Sequence, residues 1–208
     1  GLGFKDITLG NIRLDAVADT SGEVRISQLN VSNQGSELQA KGTVQVFRRD
    51  SFQVNPDFPL DVSLGLTDLN PQTFMKKLPV SVRIGGELKA RGNLKAIDAG
   101  IDLQANDLKV RDAVHGDRIT LDADLTGDVR QPDGTVRLQG KGFDFGVQKV
   151  REIHLNAKLA GKRISIESLQ AFLSPKALLE AAAQVDLGKE SYQLDYLRTK
   201  GISLDRID

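Results

Sequence analysis

The sequence predicts an all-β protein built on an antiparallel sheet, with one short helix. Apolar and polar residues alternate along most of the 208-residue chain, which is typical of strands that are buried on one face. Turn sequences such as Thr20-Ser21-Gly22 and Pro132-Asp133-Gly134 separate the alternating segments at hairpin spacing. Long helical segments do not separate the strands, which disfavours a parallel α/β sheet.

The alternating segments define the predicted strands. In chain order they cover residues 12–18, 23–31, 37–47, 60–66, 80–96, 101–105, 119–125, 135–138, 153–159, 163–169 and 192–197. Each has apolar side chains at every second position over most of its length, so each is expected to place its aliphatic residues on one face of the sheet.

The segment 80–96, VSVRIGGELKARGNLKA, is the longest alternating stretch. As one unbroken strand it would extend about 55 Å, so a kink is expected. Gly86, Ala90 and Gly92 lie on its apolar side, where small residues let a sheet bend and leave open volume above it. Alternatively, Gly85 and Gly86 mark a β-bulge in an ordinary sandwich.

A short helix is predicted between the fourth and fifth strands. Asn70 is suited to the N-cap, Pro71 to the first helical position, and Pro79 to the end of the helix. Phe74 and Leu78 would then share a face. The helix is expected either to pack on the sheet or to cap an open sheet edge or groove end.

Residues 174–183 carry conflicting signals, because propensity and capping favour a helix whereas Leu179, Ala181 and Ala183 alternate as in a strand. A weak internal repeat favours the strand. Segments 12–46 and 153–187 both read I-x-L-x-A, then a glycine turn, an alternating strand, a polar break and another strand. We therefore predict a strand over 179–187, within a single β-rich segment spanning 1–208. Because both ends of the chain are strand-like, we expect it to be excised from a longer repeat-containing protein.

Composition excludes several functions. Lys plus Arg equals Asp plus Glu at 28 each, which argues against a nucleic-acid partner. The absence of cysteine excludes disulfides, thiolate metal sites and a cysteine nucleophile. No apolar run approaches the roughly 18 residues of a membrane-spanning helix, and no N-terminal signal sequence is visible.

Motifs for catalysis or metal binding are also missing. His115 and His154 have no partner at metal-ligand spacing, and no nucleophile motif occurs. The spacing of Asp122, Asp124 and Asp133 is close to that of a calcium-binding loop, but these residues are expected to lie on the solvent-exposed face of a strand. We predict that the protein is not an enzyme and has no catalytic residues, no metal site and no cofactor.

The repeat unit, together with the sequence LPVSVRIGGELKARG at 78–92, resembles the AsmA-like/TamB family of bacterial envelope proteins. The resemblance covers most of the chain and rests on alternation, glycine placement and loop lengths. It implies a curved antiparallel sheet folded into an open half-pipe, or β-taco, with a hydrophobic groove. It further implies a periplasmic segment of a protein anchored in the inner membrane of a Gram-negative bacterium. Transport of phospholipids between the two membranes, outer-membrane biogenesis and an Omp85-family barrel partner in the outer membrane are the expected roles.

On this reading the groove is a surface rather than a pocket, and its lining comes mainly from three strands. The expected lining residues are Val82, Ile84, Leu88, Leu94, Ile119, Leu121, Leu125, Ile153, Leu155 and Leu159. Phe143, Phe145 and Phe172 are either core residues or groove walls. The alternatives are a closed β-sandwich or solenoid that acts as a structural or adhesion module without lipid, and, with less support, an enzyme on a β scaffold.

Overall fold

We describe the protein from a computed structural model. The structure describes residues 3–4, 7–8, 10–48, 51, 53–55, 57–75, 78–111, 113–146 and 148–201, with side chains from Gly10 onward. Every statement about the fold below refers to these residues.

Fourteen strands and one helix are present in the described chain. In order they are β1 (Gly3–Phe4), β2 (Ile7–Thr8), β3 (Asn11–Ala18), β4 (Glu23–Asn33), β5 (Ser36–Gln45), β6 (Leu60–Leu69), α1 (Pro71–Phe74), β7 (Val80–Asn93), β8 (Ala96–Val110), β9 (Val114–Asp128), β10 (Gln131–Asp144), β11 (Lys149–Ala160), β12 (Arg163–Phe172), β13 (Leu178–Asp186) and β14 (Ser191–Lys200).

Strands β3 to β14 form one twelve-stranded antiparallel sheet in which each strand pairs with its neighbours in sequence. The sheet is open, because β3 and β14 are its two edges and do not pair with each other. The short strands β1 and β2 pair only with each other. The all-β prediction is confirmed, and an open, unclosed sheet with almost no helix is consistent with the expected half-pipe.

Each predicted strand corresponds to a strand of the large sheet, including the disputed segment 179–187, of which residues 179–186 lie in β13. The predicted strand over 80–96 is wrong at its end, because β7 stops at Asn93. The Asn93 side chain accepts hydrogen bonds from the backbone N–H of Lys95 at 2.9 Å and of Ala96 at 3.0 Å. This Asx-type turn reverses the chain into β8.

The predicted helix forms but is only four residues long. Asn70 is its N-cap, as expected, and its side chain accepts a hydrogen bond from the N–H of Gln72 at 3.0 Å. The helix ends at Phe74, so Leu78 lies outside it and the expected shared face with Phe74 does not exist. The helix packs beside the start of β7.

β-Bulges keep apolar side chains on one face of the sheet at points where the alternation of apolar and polar residues is shifted by one position. Ile26 and Leu29 of β4 are three positions apart, yet the pairing with β5 shifts between them so that both stay in register with apolar partners. The same shift separates Ile166 from Leu169 in β12. An extra residue in one strand reverses the side-chain phase, so a three-residue spacing of aliphatics marks a bulge.

The two repeat-like segments have the same strand arrangement. Residues 12–46 supply β3, β4 and β5, and residues 153–187 supply β11, β12 and β13. In both segments the middle strand carries the extra residue, opposite Asp15 and Ala16 in the first segment and Asn156 and Ala157 in the second.

The large sheet is not covered by a second layer among the described residues. The buried hydrophobic residues are Val82, Ala123, Phe143, Val150, Ala157, Ala181 and Ala182, with no Leu or Ile among them. In closed cores Leu and Ile are among the residues most often fully buried. The accessible surface is 14159 Å², whereas a compact monomer of 22.6 kDa exposes about 9,500 Å². The predicted alternative of a closed β-sandwich is therefore wrong.

Candidate functional site: the apolar face

The most distinctive surface of the molecule is one face of the twelve-stranded sheet, here called the apolar face. Residues directly opposite each other on antiparallel strands point to the same side, so the pairing register shows which side chains share a face. Followed strand by strand, the register connects apolar residues into continuous rows across the sheet. We call each row a rung.

Three rungs cross all twelve strands. The first contains Ile12, Val31, Leu38, Leu66, Gly86, Leu103, Leu121, Leu138, Leu155, Leu169, Ala181 and Leu197. The second contains Leu14, Leu29, Ala40, Leu64, Leu88, Ile101, Ala123, Val136, Ala157, Ile166, Ala183 and Leu194. The third contains Ala16, Ile26, Gly42, Val62, Ala90, Ala99, Leu125, Gly134, Leu159, Ile164, Val185 and Tyr192.

No charged residue interrupts these rungs. With strands about 4.8 Å apart and residues about 3.3 Å apart, the three rungs form a strip of roughly 700 Å². The largest apolar patch on a typical monomer is roughly 300–600 Å² and is often functional. An apolar area of this size is typical of an interaction surface.

The opposite face is polar along the same strands. A representative row contains Arg13, Asn30, Gln39, Gly65, Glu87, Asp102, Asp122, Arg137, Asn156 and Ser168. Surface ion pairs such as Lys89–Glu87 at 2.9 Å and Lys158–Glu167 at 2.6 Å lie on this side. The sheet thus separates water-facing charge from an aliphatic surface.

Most of the predicted lining residues lie on the apolar face. Leu88, Leu121, Leu125, Leu155 and Leu159 belong to the three rungs and are half-buried. A fourth row, next to the first rung, contains Leu69, Ile84, Ala105, Ile119, Gly140, Ile153, Ala171 and Leu179.

Two predicted lining residues occupy different positions from those expected. Leu94 lies in the turn between β7 and β8, where it is 45% exposed, so it is not part of a rung. Val82 is in β7, two residues from Ile84, but it is buried at 7% exposure near the α1 end of the strand. It contributes to packing rather than to the open surface.

The predicted lining omits most of the apolar face, because the predicted residues come from three strands only. Leu29, Leu64, Leu103, Leu138 and Ile166 lie on the same rungs as the named residues. The signal for them was present, since the alternation that predicted each strand also divides its residues between two faces.

The backbone conformation at Gly86 explains why a glycine lies on the apolar side of β7. Its φ of +136° lies in a region that other residues rarely adopt. A β-carbon there would come 2.1 Å from the carbonyl oxygen of Asp102 on β8. The register shift beside it, between Leu66 and Leu69, belongs to β6. Glycine is therefore required by the close approach of two backbones, while the bulge is in the neighbouring strand.

The three phenylalanines that were predicted to be core residues or groove walls have different surroundings. Phe143 is 8% exposed and its ring lies over Gly116 and Gly140, where it fills the space that these two residues leave open. Phe145 stacks on Phe143 with ring centroids 6.0 Å apart and is 42% exposed. Phe172 lies against the His154 ring, with centroids 5.5 Å apart, opposite Glu152 on β11.

Among the described residues, no group of three or more His, Cys, Asp or Glu lies close enough together to hold a metal ion. Asp122 faces Arg137 at 3.5 Å, and Asp133 accepts a hydrogen bond from the N–H of Gly161 at 3.0 Å, so these acids already have partners. His154 contacts Glu152 at 3.0 Å, and this hydrogen bond, helped by Lys141, lowers the pKa of Glu152.

The surface depressions of the described chain are lined mainly by polar residues. One near β12 to β14 is lined by Lys158, Arg163, Gln184 and Asp186 together with third-rung residues such as Ile164 and Val185, and another is lined by Arg83, Asp107, Arg118 and Lys141. Both are open and mixed in charge, so neither encloses a small molecule in the manner of a typical binding pocket. The apolar face remains the only surface of the described chain that we consider as a site.

Comparison of the chain with protein-family models, curated proteins and solved structures gives no match. The described residues contain no helix long and apolar enough to cross a membrane.

Proposed function

We propose that the apolar face binds phospholipid acyl chains and shields them from water while lipids move between two membranes. The observation that carries this proposal is the continuity of three uncharged rungs across twelve strands, uncovered by any second layer in the described chain. A surface of this kind supports movement along the sheet, because every strand offers the same environment as the next.

The energetics favour such a surface. Exposing an acyl chain to water costs about 0.8 kcal/mol per methylene, which exceeds roughly 10 kcal/mol for a chain of about 16 carbons. A carrier must therefore present apolar atoms along its whole length. The rungs do so, and their mixture of Leu, Ile, Val, Ala and Gly gives a shallow surface that fits many chains without specificity.

The resemblance to AsmA-like/TamB proteins supports a more specific setting. We propose that the chain is a periplasmic segment of an inner-membrane-anchored protein that spans a Gram-negative envelope and contributes to outer-membrane biogenesis. Within that proposal phospholipids are the cargo, and an Omp85-family barrel is the protein partner at the outer membrane. The protein acts as a surface, and none of its residues carries out covalent chemistry.

Lipid content of the purified protein tests the proposal. We expect phospholipid to co-purify with the wild-type chain and to be detected by mass spectrometry after extraction. Leu121→Asp places a charge in the first rung and should lower the lipid content several-fold. Thr120→Asp places the same charge one residue away on the polar face and should leave it unchanged.

A second variant separates loss of binding from loss of folding. Leu14 is 61% exposed at the edge strand, so Leu14→Asp does not bury a charge; this variant should fold normally while placing a charge at the end of the second rung. Repeated absence of lipid from the folded wild-type protein, or equal lipid in the Thr120→Asp and Leu121→Asp proteins, would refute the proposal.

A further inference from the structure

The apolar face differs at the two ends of its strands. At one end the Phe143 ring lies over Gly140, in the fourth row, and Val82 and Val150 are buried close to the same end of their strands. At the other end, the row that follows the third rung on β7 to β10 contains Gly92, Ile97, Gly127 and Pro132. Two of these four residues have no side chain. In the middle of the described sheet, the apolar face is therefore closed by a ring at one end and open at the other.

The open end is bordered by hairpin turns that carry cations. We call this border the cationic rim and define it by the exposed residues Lys95, Arg130, Lys162 and Lys189, one in each turn from β7–β8 to β13–β14. Neighbouring turns are hydrogen-bonded to each other. The N–H of Val129 donates to the carbonyl of Leu94 at 3.1 Å, and the N–H of Leu187 donates to that of Lys162 at 2.9 Å. A cation thus recurs once per hairpin, about every 10 Å across the sheet.

Exposed aliphatic side chains accompany the cations in three of these turns. Leu94 is 45% exposed, Val129 is 47% exposed and Leu187 is 59% exposed. Leu94 and Val129 directly precede Lys95 and Arg130 in the sequence. An apolar group next to a cation matches the part of a phospholipid where the acyl chains meet the phosphate.

The cations of the rim are accessible to a ligand. Within the described chain no ion pair involves Arg130 or Lys162. Lys95 contacts Asp57 at 2.9 Å, but its side chain is 76% exposed, and exposed pairs of this kind are weak. Asp128 accepts a hydrogen bond from the N–H of Arg130 at 2.8 Å, so this carboxylate shapes the turn.

We propose that phospholipids lie along the strands, with the methyl ends of their acyl chains towards Phe143 and the headgroup phosphate at the cationic rim. This inference rests on the proposed lipid-binding function and adds to it an orientation and a site for the phosphodiester group. Guanidinium and ammonium groups are the side chains that bind phosphate oxygens most strongly. Arg130 and Lys162 are the central members of the site.

The length of the strands fits this orientation. Ile119, which shares the fourth row with Gly140, and Gly127, at the open end, are eight residues apart in β9. This separation corresponds to about 26 Å along the strand. Half of a bilayer, headgroups included, is roughly 20–22 Å thick. One lipid therefore fits between the Phe143 ring and the rim.

The same orientation suits movement across the strands. A lipid that moves sideways keeps its acyl chains on the three rungs, while its phosphate passes from the cation of one hairpin to that of the next. The rim would then guide headgroups in the direction in which the rungs guide acyl chains.

Neutralising two rim cations tests the phosphate site. Arg130→Gln/Lys162→Gln leaves the apolar face intact, and the purified variant is compared with the wild type by competition with a fluorescent lipid. We expect at least about fivefold weaker binding of phosphatidylglycerol, because a cation near lipid phosphate contributes an attraction of that order. Binding of a diacylglycerol with the same acyl chains should be unchanged. Lys176→Gln, an exposed cation between β12 and β13 at the closed end, should alter neither affinity.

Photoreactive lipids test the orientation. Phosphatidylglycerol with a diazirine at the methyl end of an acyl chain should label residues around Ile119 and Phe143. The same lipid with the diazirine on its headgroup should label the turns that contain Lys95, Arg130 and Lys162. Mass spectrometry of the digested protein identifies the labelled positions.

Four results would overturn the inference. Reversed or even labelling along the strands would show lipid bound without this orientation, and the proposed lipid-binding function would stand. An equal loss of affinity for phosphatidylglycerol and diacylglycerol in Arg130→Gln/Lys162→Gln would show that the cations do not act on phosphate. Glycerol 3-phosphate binding as tightly as the lipid would show a free-phosphate site independent of the apolar face. No labelling by either probe would refute lipid binding and this inference together.

Discussion

The ring of Phe143 lies over Gly140: a β-carbon at Gly140 would come 2.3 Å from Cε2 of that ring. Gly140 belongs to the apolar row that also contains Ile119 and Ile153. One aromatic side chain thus occupies the space that a missing side chain leaves at this point of the apolar face. The same ring also lies over Gly116 of β9, so it connects the ends of two neighbouring strands.

Gly140→Ala should displace Phe143 and destabilise the protein by about 1–3 kcal/mol, as overpacking of a filled site does. Gly100→Ala is the matched control, because a β-carbon at Gly100 meets nothing within 4 Å. Urea unfolding would measure both variants. Equal stability of the two would show that Phe143 does not occupy the site.

Gly86→Ala should be more damaging, by roughly 2–4 kcal/mol, because it combines backbone strain at positive φ with overpacking. The carbonyl oxygen of Asp102 is part of the backbone of β8 and cannot rotate away. Gly65→Ala is the control on the neighbouring strand, where a β-carbon meets nothing within 4 Å. An unchanged unfolding midpoint for Gly86→Ala would contradict the described approach of β7 and β8.

Ser36→Ala should loosen the attachment of the helix to the sheet. The Ser36 side chain is 2% exposed, accepts a hydrogen bond from the N–H of Asn70 at 2.9 Å and donates to the carbonyl of Asp68 at 3.1 Å. Removing it leaves a backbone donor without its partner, which costs about 1–3 kcal/mol. Hydrogen exchange at Asn70 and urea unfolding measure the effect, and the exposed Ser51→Ala variant should show neither change.

Asp19 should make the stability of the turn between β3 and β4 depend on pH. Its carboxylate accepts hydrogen bonds from the Ser21 hydroxyl at 2.7 Å and from the N–H groups of Ser21 and Glu23, and the pKa of Asp19 is lowered from 3.8, chiefly by the Ser21 hydroxyl. Because the folded pKa is depressed, the turn's contribution to stability is present above pH 3.8 and is lost as the pH falls through the folded value.

NMR titration of the Asp19 carboxyl should therefore give a pKa below that of an unperturbed aspartate. In Ser21→Ala the pKa should rise towards the ordinary value, because the largest cause of the shift has been removed. The Ser51→Ala variant should leave the Asp19 titration unchanged. A Ser21→Ala pKa equal to that of the wild type would show that the hydroxyl does not hold the carboxylate.

The strands were predictable because a single physical rule produces them. In β9, Ile119, Leu121, Ala123 and Leu125 alternate with polar residues, and burial of one face is enough to make that pattern a strand. The existence of continuous apolar rows could also be predicted from the sequence, because short hairpin turns place the apolar residues of neighbouring strands side by side. The assignment of 179–187 to a strand succeeded because apolar alternation outweighed helix propensity once a neighbouring strand was available.

Strand ends, the helix end and the bulges could not be predicted, because they depend on specific hydrogen bonds and on strand pairing. The strand over 80–96 looked continuous because Asn93 and Leu94 keep the alternating phase, while the turn is made by the Asn93 side chain and two backbone N–H groups. The helix stops at Phe74 although Pro79 was the visible end signal. The bulge in β12 was missed because the three-residue spacing of Ile166 and Leu169 indicates a bulge only once the strand pairing is known, and the bulge considered at Gly85 and Gly86 lies instead in β6.

Site-specific photocrosslinking gives the most direct test of the central claim that the apolar face is an open lipid-binding surface. A benzophenone amino acid at Leu121 faces the first rung, and the same probe at Asp122 faces the polar side of the same strand. After irradiation in cells, followed by purification and mass spectrometry, we expect phospholipid adducts from the Leu121 position and not from Asp122. Adducts at neither position, or equal adducts at both, would contradict the account.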